Sequence, residues 1–187
     1  MVRPQDGESR RGLLRGAWPG AAAAALVLAG CGGGSRHPSV KLADAASDVE
    51  ILNRSLALER RTVEAYIAGI PLLNYADGKA AEQFLNAELE HTGELLALIK
   101  AAKGEAIPRA GSYDLGHPRG GAEVLTLLHD LERRQIAGYL DAIPRLSPGP
   151  VRAAVATILA SDAQHIAILR LAQGVAPAPS AFVTGAE

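Results

Sequence analysis

The chain of 187 residues carries 19 Lys and Arg against 20 Asp and Glu, a formal net charge of −1, with 48% hydrophobic and 4% aromatic residues. That length suits one domain rather than two. The hydrophobic share excludes a disordered polyelectrolyte, and the near-neutral balance lacks the basic footprint of a nucleic-acid binder.

In chain order, a basic start (Arg3, Arg10, Arg11, Arg15) precedes an apolar run from Ala21 to Ala29. The run is far shorter than the roughly 20 residues of a membrane-spanning helix, so residues 1–30 are expected to be a signal peptide. Ser9-Arg10-Arg11-Gly12-Leu13-Leu14 resembles the twin-arginine export motif, and Leu28-Ala29-Gly30-Cys31 resembles a bacterial lipobox, whose cysteine is acylated and becomes the first residue of the mature chain. Cys31 is the only cysteine, so once acylated it leaves no thiol for disulfides or metal ligation. Any metal chemistry then falls to His and carboxylates. The expectation is an exported protein, anchored to the membrane by lipid on Cys31, at the outer face of the cytoplasmic membrane or in the cell envelope. Residues 31–43 read as a flexible linker.

From residue 44 to 174 the pattern is helical, and abundant Ala and Leu favour that choice. Leu52, Leu56, Val63, Tyr66 and Ile70 form one apolar stripe, followed by Pro71. Asp77 opens a second helix with Phe84, Leu95 and Ile99 on one face. A third runs from Gly121 to Ile143, and a fourth starts around Ser147-Pro148-Gly149-Pro150, where Ser can cap and Pro suits the first turn. The tail, residues 175–187, is rich in Pro and Ala and is expected to be loose. Short loops make each consecutive pair an antiparallel hairpin, while GEAIPRAGSYDLGHPRG, residues 104–120, lacks helical periodicity. Extended at roughly 3.3 Å per residue, that segment can travel the length of a helix of about 25 residues. The fold class is therefore all-α: an antiparallel four-helix bundle, two hairpins joined by a long crossover.

The two hairpins repeat one another. LERRTVEAYIAGIP (58–71) recurs 73 positions later as LERRQIAGYLDAIP (131–144). Glu59 and Glu132 interrupt the first and third apolar stripes. Glu88-x-x-His91 interrupts the second and Asp162-x-x-His165 the fourth, 74 positions apart. Two carboxylates about 4 Å apart repel by around 4 kcal/mol at an effective dielectric near 20. Four of them in one core strain a domain whose stability is on the order of 5–15 kcal/mol. Two divalent cations would balance four carboxylates, and the i, i+3 spacing lets each carboxylate and His grip one ion.

This set resembles the ferritin-like superfamily, including bacterioferritins, rubrerythrins and the di-iron oxygenases. The resemblance implies two divalent metal ions, iron first and manganese as the alternative. Glu59 and Glu132 would be terminal ligands, Glu88 and Asp162 bridges, and His91 and His165 would complete the two ions. Tyr66 and Tyr139 match positions where relatives place a tyrosine beside the site. The family normally has Glu where this chain has Asp162, whose shorter reach puts its bridging in question.

The implied activity is redox at the metal, oxidation of ferrous iron with dioxygen or peroxide. A metal-free or mononuclear envelope bundle, acting as an interaction or metal-buffering module, is the alternative. Among the remaining polar residues, His129, one turn before Glu132, is read as a core histidine or a neighbour of the site. Arg60, Arg61, Arg133 and Arg134 are read as surface charges, and Glu64, Glu90 and Glu94 as solvated.

Overall fold

The computed structural model describes residues 45–187, with side chains from Asp48 onward. The segments expected to form a signal peptide (1–30, with the lipobox at Cys31) and a flexible linker (31–43) lie outside the described residues. Four helices follow in order: α1 (Ala45–Gly69), α2 (Tyr75–Ala101), α3 (Gly121–Ala142) and α4 (Pro150–Ala172). A short 3-10 turn, Ile70–Leu72, contains Pro71 and ends α1.

The helix boundaries have local causes. Asn74 caps α2, its side chain accepting the Asp77 N–H at 3.0 Å. The helix thus begins at the exposed Tyr75, two residues before the expected start at Asp77. At the far end, Lys103 takes a positive φ of 57° and the Gly104 N–H returns to the Ile99 carbonyl at 2.9 Å. The cap of α4 is Gly149 (φ 94°), with Pro150 in the first turn. Ser147 serves elsewhere: its N–H donates to the buried Asp48 carboxylate at 2.9 Å, joining the α3–α4 loop to the start of α1.

The crossover, residues 104–120, is stitched to α1. Asn53 donates to the Glu105 carbonyl (2.9 Å) and accepts from the Ile107 N–H (2.8 Å). Arg60 donates to the Ile107 carbonyl (2.7 Å), Arg61 to the Asp114 carbonyl (2.9 Å), and Arg109 pairs with Glu64 at 3.1 Å. These arginines are structural ties rather than free surface charges, because a long non-helical segment leaves carbonyls that need donors. Arg133 acts likewise on the tail, donating to the Gly185 carbonyl at 3.0 Å. Gly185 (φ 78°) sits so close to α3 that a Cβ there would lie 2.7 Å from the Arg133 carbonyl oxygen. The last residues, expected to be loose, are seated against the bundle.

Two apolar clusters fill the core. One gathers Leu52, Leu56, Leu95, Ile99, Leu146 and Val155; the other gathers Ala65, Val124, Leu125, Leu128 and Leu169. Burying each large side chain contributes about 1.5–3 kcal/mol. Between the clusters lies a polar layer, in the middle of all four helices.

Candidate metal centre

The layer takes one residue each from α1 and α3 and a carboxylate and a histidine each from α2 and α4. Glu59 lies three residues after Leu56 on α1, and Glu132 four after Leu128 on α3, so the stripes that bury those leucines bury the acids too. Glu59, Glu88, Glu132 and Asp162 are inaccessible to solvent, and His91 and His165 are 9% and 5% exposed. The six residues expected from the sequence do meet, in two overlapping groups. Glu59, Glu88 and His91 form one, and Glu88, Glu132, Asp162 and His165 the other, with donor atoms within 4.8 Å in each.

Glu88 belongs to both groups. Its Oε1 stands 3.5 Å from His91 Nδ1 and 3.3 Å from His165 Nδ1. Asp162 Oδ1 lies 3.4 Å from His91 Nδ1, so the shorter aspartate still reaches across to the other group. His165 Nδ1 lies 3.2 Å from Glu132 Oε1, and the two imidazole rings stack with centroids 6.1 Å apart.

The tyrosines of the repeat cross over. Tyr66 of α1 donates to Glu132 of α3 at 2.6 Å, and Tyr139 of α3 donates to Glu59 of α1. Each hairpin thus holds the glutamate of its sister, which fixes α1 and α3 as antiparallel neighbours in register. Between these bonds lie Thr62 and Gln135, equivalent positions of the repeat. Thr62 donates to the Gln135 side-chain oxygen (2.9 Å), and Gln135 donates to Glu88 Oε2 (2.8 Å). The sequence reading missed this pair. Its signal was available: both sit three residues after the repeated glutamates, on the buried face.

His129 has a different setting. It is 8% exposed, with Nδ1 3.9 Å from Asp130 and Nε2 without a hydrogen-bond partner. Its charged surroundings are Arg170, Asp130, Arg133 and Glu187, and burial followed by Arg170 lowers its pKa. The charged groups that act on it lie on α3, α4 and the tail, and none of them is among the six residues of the layer.

Electrostatics marks the cluster as strained without a cation. Burial, then the Glu88 charge, pushes Glu59 and Glu132 upward, Glu132 to about 7. Burial, then Glu132 and Glu88, raises Asp162. Burial opposes the charge on Glu88 as well, but the nearby His165 and His91 imidazoles and the Gln135 hydrogen bond prevail and hold it below the ordinary carboxylate range. Burial opposes protonation of His165, yet its contacts with Glu132 and Glu88 carry it to about 10. Both tyrosines are pushed up by burial and by the neighbouring carboxylates.

The donor set fits a metal on direct grounds. Glu59 Oε2, Glu88 Oε1, Glu132 Oε2, both oxygens of Asp162 and His91 Nδ1 are buried and lack hydrogen-bond partners. Buried polar atoms are seldom left unpaired, and these six are all potential ligands gathered in one layer. Mixed carboxylate and imidazole ligation suits iron and manganese.

Fold and cluster together define an all-α bundle protein with a buried carboxylate–histidine site compatible with metal ions. The family model of the ferritin-like domain matches residues 47–175, and the chain belongs to that family. Among solved structures, a conserved hypothetical protein of Mycobacterium tuberculosis is similar at a TM-score of 0.66 and 18% identity, covering 74% of this chain and 99% of the other. That likeness speaks for the fold alone. Among curated proteins none matches.

Proposed function

We propose that the protein is a lipid-anchored, extracytoplasmic ferritin-like protein holding a dinuclear iron or manganese centre that oxidises ferrous iron with dioxygen or peroxide. The observation carrying this reading is Glu88 Oε1, an unpaired buried oxygen between two histidines and common to both donor groups. Glu59 and His91 would hold one ion, Glu132 and His165 the other, with Glu88 and Asp162 shared. A ferrous pair supplies two electrons, enough to take dioxygen to hydrogen peroxide or hydrogen peroxide to water.

The chain's own residues support that chemistry in three ways. The apolar clusters keep bulk water from the layer, Tyr66 and Tyr139 hold the terminal glutamates, and Gln135 fixes the shared one. The convergence of the four acids with both histidines supports a metal site over a metal-free interaction module. A mononuclear or metal-buffering reading keeps one observation: the group around His91 has three members and that around His165 four. Export through the twin-arginine route and acylation of Cys31 rest on the sequence motifs; mass spectrometry of the membrane fraction would detect a diacylglyceryl Cys31.

Elemental analysis of the mature domain, purified without chelator or affinity metal, tests the centre. Two ions per chain and a ferric absorption band on exposure of ferrous protein to air are expected. One ion would favour the mononuclear reading, and none after ferrous addition would overturn both.

A further inference from the structure

The internal repeat makes each hairpin a control for the other, and the two sides of the centre differ. Beside His165, Phe84 stacks on the imidazole with centroids 4.3 Å apart and also meets Tyr66 edge-on at 6.3 Å. The residue equivalent to Phe84, 74 positions on, is Ile158, which is itself buried but borders an open cleft. A cavity of about 430 Å³ lies there between α2 and α4, its lining including Glu90, His91, Glu94, Thr157, Ile158 and Ser161. Contact between α2 and α4 is the sparsest among the four helix pairs that pack.

The charges are one-sided as well. Glu90 and Glu94 are exposed on the cavity wall, whereas the equivalent positions on α4 are Gln164 and Ile168. His91 is nine-tenths buried at this cavity, and its Nδ1 has no hydrogen-bond partner. Six waters around a hydrated divalent cation occupy about 180 Å³ at roughly 30 Å³ each, so the cavity accepts such an ion with its shell.

We propose that the cleft between α2 and α4 is the entrance through which a hydrated divalent cation reaches the centre, drawn by Glu90 and Glu94 and handed to His91, while Phe84 seals the His165 side. The inference rests on the metal-binding reading above. It makes the His91 position the first to load and the first to exchange.

Cobalt(II) uptake by chelated, full-length mature protein tests it, followed by stopped-flow through the cobalt absorption bands. Thr157→Trp, on the cleft wall, is expected to slow uptake at least tenfold, and Gln83→Trp, its equivalent on the other hairpin, to leave the rate unchanged. The double variant Glu90→Gln/Glu94→Gln is expected to slow uptake severalfold and to flatten its dependence on ionic strength. Cobalt stoichiometry at equilibrium should be the same in all of them. Wild-type rates in the cleft variants, or equal slowing by Gln83→Trp, with stoichiometry intact, would overturn the entrance and leave the metal centre standing. Absence of cobalt from every protein, wild type included, would overturn both.

Discussion

Gln135 donates a 2.8 Å hydrogen bond to Glu88 Oε2 and leaves Oε1 as that carboxylate's unpaired atom. The amide is itself oriented by the Thr62 hydroxyl on its oxygen, so a chain of two bonds from α1 through α3 decides which oxygen of an α2 residue is free. Removing the amide in Gln135→Leu strands a buried charged oxygen and is expected to destabilise the metal-free protein by about 1.5–3 kcal/mol. Thr62→Val should cost about 1 kcal/mol, and the double variant should fall short of the sum because the two share one chain of bonds. Urea unfolding of chelated samples checks this; strict additivity would mean the bonds act independently.

Because Glu88 belongs to both donor groups, its loss should differ in kind from loss of a histidine. His91→Ala and His165→Ala are each expected to retain about one ion per chain, whereas Glu88→Ala should retain none at micromolar metal. Elemental analysis after gel filtration decides it. Full occupancy of Glu88→Ala would place the shared role elsewhere, on Asp162.

The crossed tyrosines predict crossed effects. Tyr66 lies on the first hairpin but holds Glu132, and Tyr139 lies on the second but holds Glu59. Tyr66→Phe should therefore weaken binding in the His165 group, and Tyr139→Phe in the His91 group, each with about 1–3 kcal/mol lost from the metal-free protein. Cobalt titrations of each variant in the His91→Ala and His165→Ala backgrounds separate the two positions.

Protonation gives the metal-free and loaded protein opposite responses to pH. Burial lifts Glu132 from 4.5 to about 7 and raises Glu59 and Asp162, while His165 rises from 6.5 to about 10 through its carboxylate contacts. Each of these groups binds more protons folded than unfolded. Their stabilising contribution is full below the unfolded values and is lost as pH climbs through the folded ones. Glu88, held low, acts in the other sense, and its contribution is lost as pH falls below 4.5. The Tm of chelated protein should therefore decline between about pH 5 and pH 8. Metal must displace the same protons, so affinity and the stabilisation by saturating metal should grow over that interval, with about 2.7 kcal/mol gained at a metal concentration of 100 Kd. Calorimetry with and without metal reads both slopes, and a rising Tm in the chelated sample would refute the charge assignment.

The sequence by itself determined the helices, their pairing into hairpins and the six acids and imidazoles of the core, because 3.6-residue periodicity places every residue on a face. The repeat of Leu58–Pro71 at Leu131–Pro144 set a tyrosine seven residues after each repeated glutamate, and the family resemblance placed both tyrosines beside the site. Periodicity is local, however, and it stops at the helix surface. Which partner a side chain meets depends on how helices far apart in the chain cross. Only the tertiary structure decided that Tyr66 holds Glu132 rather than its own Glu59, that Gln135 takes one oxygen of Glu88, and that Asp162 reaches His91 across the bundle despite its missing methylene. The same holds for Arg60 and Arg61, whose flanking positions suggest surface charge, but whose donors are spent on carbonyls of a crossover more than forty residues away in the chain.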